Sequence, residues 1–141
     1  MKVVYTYVVG DLLHEGHLLY LENAKGLGDK LIVGVLTDEA VEEKKKKPCL
    51  DFRERMGIIQ KLGFVNAVVA QNSYSPINNI KLLKPDIMIE SDSHTEEDLR
   101  TIKKVCKNIG CRVMVMPYYP GQSSSAIKAK IKEDSKHGGL Q

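Results

Sequence analysis

Residues 2–36 read KVVYTYVVGDLLHEGHLLYLENAKGLGDKLIVGVL, and the change of period along them decides the fold class. KVVYTYVV (2–9) and KLIVGVL (30–36) are short β-branched apolar runs of the kind buried on both faces of a parallel sheet. Between them Leu18, Leu21, Ala24 and Leu27 fall on one face of a helix over 17–27. Strand, helix and strand in that order imply a right-handed βαβ crossover. The same alternation continues outward. FVNAVVA (64–70), DIMIE (86–90) and CRVMVM (111–116) read as further strands, and helical patterns cover 51–62, 76–83, 95–109 and about 124–133. The expected architecture is α/β: a single Rossmann-like open parallel five-stranded sheet with helices on both faces. No repeat or linker divides the chain, so one domain is expected over 1–135, with KHGGLQ (136–141) as a frayed tail.

Composition narrows the function classes. A chain of 141 residues, 43% hydrophobic, suffices for one packed core. The formal net charge of +3 is mild and no basic stripe interleaved with aromatics appears, which argues against a nucleic-acid surface and fits small anionic ligands. Cys49, Cys106 and Cys111 are odd in number and lack paired metal spacing, so free thiols in a reducing compartment, the cytoplasm, are expected. Gly10, Asp11 and His14 interrupt the first apolar run. Neither a signal peptide nor a membrane span is expected.

Ligands of such sheets bind beyond the carboxyl ends of the strands, where helix N-termini point. GDLLHEGH (10–17) falls there, directly after the first strand, and carries no G-x-G-x-x-G dinucleotide fingerprint. Its two histidines have three readings. They form a helix cap with a half-buried structural ring; they ligate zinc as H-x-x-H, for which no third cysteine, histidine or carboxylate stands at a ligand spacing; or they donate hydrogen bonds to phosphates.

HEGH (14–17), preceded by Asp11 and followed by GQSSSAI (121–127), resembles the H-x-G-H and I-S-S/T-T-x-I signatures of the cytidylyltransferase-like nucleotidyltransferases. GVLTDEAVEEKKKKPCLDFRERMGII (34–59) and LKPDIMIESDSH (83–94) are similar to the glycerol-3-phosphate and phosphonate cytidylyltransferases, so the likeness spans nearly the whole chain. LTDEAV, P-x-L-x-F-x-x-R and LKPD most resemble the small domains associated with phosphoenolpyruvate mutase.

The resemblance implies a HIGH-type nucleotidyltransferase fold. It also implies an enzyme that transfers CMP from CTP, with Mg²⁺, to a small phospho-alcohol or phosphonate, releasing pyrophosphate. A homodimer without nucleic-acid or membrane partners is implied as well. The rival readings are AMP transfer from ATP, as in flavin or pantetheine phosphate adenylyltransferases, and nucleotide binding without turnover. By resemblance His14 and His17 hold the α- and β-phosphates, and Gly16 lets the backbone approach them. Ser123, Ser124 and Ser125 hold the β- and γ-phosphates. Lys44 and Lys46 grip the triphosphate or the acceptor phosphate from a closing loop, and Arg55 adds a fork-shaped phosphate contact. Val8, Val9, Gly10 and Asp11 stand where many relatives read G-T-F-D along the nucleotide, and Asp92 lies in the turn near base and ribose. Asp11 has three candidate roles: helix cap, Mg²⁺ ligand, or anchor of a histidine tautomer. Asp38 either faces the ligand or caps a following helix. Ser91, His94, Tyr118 and Gln122 depart from the family's glycine, tryptophan, arginine and isoleucine.

Overall fold

The structure is a computed structural model, and residues 1–117 are described. Five parallel strands, β1 (Val3–Val8), β2 (Lys30–Leu36), β3 (Ala67–Gln71), β4 (Ile87–Glu90) and β5 (Arg112–Val115), lie in the order β3-β2-β1-β4-β5. The helices are α1 (Glu15–Lys25), α2 (Asp38–Glu42), α3 (Phe52–Gln60), α4 (Ile77–Leu83) and α5 (Glu96–Asn108). The period of two along β1 assigns the layers. Val4 and Val8 turn to a core shared with Tyr20, Leu21 and Ala24 of α1 and Ile59 of α3. Tyr5, between them, turns to the opposite core with Ile80 of α4 and Ile102 and Cys106 of α5. Helices therefore cover both faces, and burial on both sides accounts for the β-branched runs.

The chain builds outward from β1 through β2 to β3, then α4 carries it back to lay β4 on the other side of β1. The crevice at the carboxyl ends of β1 and β4 is thus the topological switch point of the sheet.

Three details differ from the sequence reading. The first helix begins at Glu15, two residues early, because His14 caps it. A one-turn helix, α2, follows β2, with Thr37 as its cap accepting from the Ala40 N–H at 3.2 Å. β3 begins at Ala67, since Phe64 and Val65 pack against the first core from the preceding turn while the Asn66 side chain accepts from the Leu31 N–H at 2.9 Å. The helix expected over 124–133 lies outside the described residues.

A buried polar chain ties the layers together. The Tyr5 hydroxyl donates to Gln71 Oε1 at 2.5 Å and accepts from Asn79 Nδ2 at 3.0 Å, while Gln71 Nε2 donates to the Ser73 and Tyr74 carbonyls. That phenol passes across Gly34, where an added Cβ would sit 2.0 Å from its oxygen. Tyr74 is fixed beyond β3 as a result, which matters for the site below.

Candidate active site

After β1 the backbone turns sharply at Gly10 (φ +78°) and Leu12 (φ +48°), then enters α1 through a reciprocal cap. His14 Nδ1 accepts from the Gly16 N–H at 3.0 Å, and His17 Nδ1 accepts from the His14 N–H at 3.2 Å. The two rings lie 3.8 Å apart. A ring nitrogen that accepts from an N–H carries no proton, so in each neutral imidazole the proton is on Nε2. Burial lowers the pKa of His14. Burial, then the His14 ring and the Lys45 charge, lower that of His17 to about 4. At neutral pH both rings are uncharged donors through Nε2. The cap reading therefore holds for the Nδ1 atoms, and it leaves the protons on Nε2.

Asp11 does not cap α1. Its two carboxylate oxygens accept from the Cys49 and Leu50 N–H groups at 2.9 and 3.0 Å, which fastens the far end of the lysine-rich loop beside the histidine turn. Nor does it hold a histidine tautomer, since backbone N–H groups do that. Both Asp11 oxygens are engaged by the loop, and among the described residues no group of three or more His, Cys, Asp or Glu side chains is placed to hold a metal.

Arg55 corrects the sequence reading most sharply. Its side chain is fully buried; Nε donates to the Leu50 carbonyl at 3.1 Å, Nη1 to the Val9 and Leu36 carbonyls at 2.5 and 2.7 Å, and Nη2 to Asp38 at 2.8 Å. Four donations from five N–H groups leave no fork for a phosphate. The guanidinium instead clamps the carboxyl ends of β1 and β2 to the loop. Asp38, the first residue of α2, is its partner, and Thr37 rather than Asp38 caps that helix.

Two cavities open at this end of the sheet. One of about 80 Å³ lies along Val8 and Val9 of the β1 end, Tyr20 of α1, and Glu90 and Ser91 of the β4 end. A larger one of about 500 Å³ continues from it between Lys44, Ser75, Thr95 and Ile102. Tyr7, Lys45, Tyr74, Ser93 and His94 belong to both walls. Lys44 is thus on a wall; Lys46, Asp92 and the two histidines of the α1 cap line neither of these cavities. Ser123, Ser124, Ser125, Tyr118 and Gln122 lie outside the described residues.

A family profile described as cytidylyltransferase-like matches residues 10–130. The chain belongs to the cytidylyltransferase-like family. Among curated relatives, the bifunctional protein HldE of Citrifermentans bemidjiense is 37% identical over 132 residues, 92% of this chain and 27% of that protein. HldE of Actinobacillus succinogenes is 37% identical over 134 residues, 94% of this chain and 28% of its own length. The chain therefore spans little more than a quarter of these relatives. The solved lipopolysaccharide core biosynthesis protein of Thermoplasma volcanium superposes with a TM-score of 0.72 at 28% identity, covering 84% of this chain and 96% of that one. A pantoate-beta-alanine ligase of Francisella tularensis, complexed with beta-gamma ATP and beta-alanine, shares the fold alone: TM-score 0.59, 14% identity, 92% of this chain and 65% of that chain. The fold is that of the HIGH-type nucleotidyltransferases.

Within this cytidylyltransferase-like domain the structure adds residues that sequence reasoning passed over. Tyr7 and Glu90 sit inside strands, where they read as parts of apolar runs, yet the Tyr7 hydroxyl donates to Glu90 Oε2 at 2.9 Å and lies 3.0 Å from His94 Nε2. His94 Nε2 pairs with the same Oε2 at 2.9 Å. The bond to Glu90 raises the His94 pKa, against burial. Burial and the Glu90 charge raise that of Tyr7, keeping it a phenol that donates. A glutamate closing the otherwise apolar strand IMIE (87–90) was the visible signal. Lys45, whose charge is felt at both His17 and His94, links the α1 cap to this trio.

Proposed function

We propose that the domain transfers a nucleoside monophosphate from a nucleoside triphosphate to a small phosphorylated acceptor and releases pyrophosphate. An acceptor phosphate or phosphonate oxygen attacks the α-phosphorus. The bond from that phosphorus to the bridging oxygen breaks, and the electron pair leaves with pyrophosphate. No enzyme nucleophile is needed; positioning and charge neutralisation suffice.

The observation that carries this reading is the doubly capped histidine pair. Two neutral imidazoles held by Nδ1, with their protons on Nε2, stand where α1 begins beside the switch point. Such donors hold charge that develops on phosphate oxygens without titrating near neutral pH. Lys44 and Lys45, on the cavity walls, add positive charge for the acceptor phosphate. CTP is the donor implied by the sequence motifs; the cytidylyltransferase-like profile supports nucleotidyl transfer and does not choose between CTP and ATP. ATP is the second reading, since the same motifs also resemble adenylyltransferases.

The test is pyrophosphate release with CTP or ATP and a pool of phospho-alcohols, sugar phosphates and phosphonates. His14→Ala and His17→Ala are expected to lower kcat roughly 10²- to 10³-fold with a much smaller change in KM. Release with neither triphosphate, or variants that melt earlier but turn over normally per folded molecule, would defeat the reading.

A further inference from the structure

His94 lies in the turn between β4 and α5, on the walls of both cavities. Its Nε2 atom is occupied: it meets Glu90 Oε2 at 2.9 Å and the Tyr7 hydroxyl at 3.0 Å. The Glu90 side chain is wholly enclosed, and His94 is its one ion-pair partner among the described residues. A carboxylate shut away from water keeps its charge only against a counter-charge, so the enclosure of Glu90 favours an imidazole that carries two protons. Nδ1 is the nitrogen left over. It has no hydrogen-bond partner among the described residues, yet it is not enclosed, since Glu90 Oε1 is the one enclosed side-chain nitrogen or oxygen without a partner there. With 13% of its side-chain surface exposed, the ring turns one edge to the buried carboxylate and the other to the open space along the cavities.

Lys45 stands on the same two walls, and its charge opposes protonation of the ring, so the two cations are near enough to repel. The bond to Glu90 prevails over burial and over Lys45, with the Asp98 charge on its side, and the His94 pKa is raised. The other charged or titratable groups around the ring are Lys44, Glu43 and Asp98 on the larger wall and the Tyr7 and Tyr74 phenols on both. Among the described residues the ion pairs are Arg55 with Asp38 and His94 with Glu90, so neither acid of the larger wall pairs with the ring or with Lys45. Two like charges thus converge on one stretch of wall with no side-chain anion between them. A charged oxygen placed there takes a charge-assisted hydrogen bond from the ring and relieves the repulsion.

We propose that His94 binds substrate: as an imidazolium backed by Glu90 it donates a hydrogen bond from Nδ1 to the anionic group of the acceptor in the larger cavity, across from Lys45, and Glu90 is a positioning residue that acts through the ring. The tryptophan that the resembling family carries at this place has no charge to lend. The proposal rests on the nucleotidyl-transfer reading above, and assigns the acceptor's charge to residues outside the shared motifs.

The test follows the ring itself, by nuclear magnetic resonance of the full chain carrying isotopically labelled histidine, with His94→Gln identifying the signal. The probes are sulfate, whose charge is constant over the titration, and methylphosphonate, with sodium chloride at equal ionic strength as the control for screening. The wild-type ring is expected to titrate above 6.5, and sulfate to raise that value by roughly half a unit or more beyond the salt control, because an anion bound to the charged ring favours its proton. Glu90→Gln is expected to lower the ring's pKa and to weaken sulfate at the ring about tenfold. Lys45→Ala is expected to raise the pKa without anion and to shrink the gain that sulfate brings. The wild-type titration carries the test if Glu90→Gln fails to fold. A ring that titrates at or below 6.5, or one that sulfate and methylphosphonate leave unmoved, overturns the proposal, as does a folded Glu90→Gln that binds sulfate like wild type. Pyrophosphate release is followed separately. There His94→Gln is expected to raise the acceptor KM about tenfold with a much smaller change in kcat, and an unaltered KM overturns the proposal. An anion-responsive ring in a protein that releases no pyrophosphate with either triphosphate would overturn nucleotidyl transfer and leave the anion contact standing.

Discussion

A proton on Nδ1 of His17 would set two donors against each other, because that atom accepts the His14 N–H. Its pKa of about 4 in the folded protein lies below the 6.5 of a free imidazole. Between those values the unfolded chain binds more protons, so this stabilising contribution is present above pH 6.5 and is lost as pH falls toward 4. His94 runs the other way: its raised pKa stabilises below 6.5 and ceases to do so as pH rises through the folded value. The comparison that isolates His17 is a melting series from pH 7.5 to 4 on wild type and His17→Asn, in which the variant is expected to lose less on acidification. Equal slopes would mean that the ring titrates normally. Arg55 makes the second prediction at this scale. Arg55→Met leaves Asp38 and three carbonyls without their donor, at a cost of about 3–5 kcal/mol in urea unfolding. Unchanged stability with weakened substrate binding would restore the phosphate contact that F-x-x-R suggested.

Among elements, the loop between α2 and α3 is the one whose sequence reading most needed geometry. Four consecutive lysines, Lys44 to Lys47, are equivalent by composition, and the resemblance pointed to Lys44 and Lys46. The one-turn helix α2 sets their orientation, with Lys44 and Lys45 on cavity walls and Lys46 on neither. Lys45→Ala is accordingly expected to weaken acceptor binding about tenfold, Lys44→Ala to do so less and Lys46→Ala least. Thermal stability should hardly move in any of the three, since exposed lysines contribute little to folding. Titration of the three variants with the tightest-binding acceptor checks the order, and a dominant Lys46 would reverse it. The strands were legible because burial on both faces demands β-branched runs, and the first helix because its apolar face repeats. A five-residue helix has too few turns to show a period. The Tyr7, Glu90 and His94 trio was illegible for another reason: it depends on the parallel register in which Val4 meets Ile87 and Tyr5 meets Met88, which continues to Tyr7 beside Glu90. No local pattern encodes a pairing between residues so far apart in the chain.

On the scale of the whole molecule the sheet order brings the histidine turn, the loop and the β4 end to one crevice. That convergence was legible in outline from strand and helix alternating, though which strand neighbours β1 was not. A triphosphate bound only by the folded protein is expected to raise the melting temperature by roughly 5–10 °C at a hundred times its Kd. CTP raising it more than ATP supports cytidylyl transfer, and the reverse order moves the reading to adenylyl transfer; no shift with either at millimolar concentration would count against both. The grip of Asp11 on the Cys49 and Leu50 N–H groups, with Arg55 on the Leu50 carbonyl, has a mechanical side. The lysine segment is anchored at its far end to the histidine turn and at its near end to α2, so it is a tethered span rather than a free tail. The number of residues between the two anchors, and not only the charges they carry, then bounds how far the lysines can reach over the crevice.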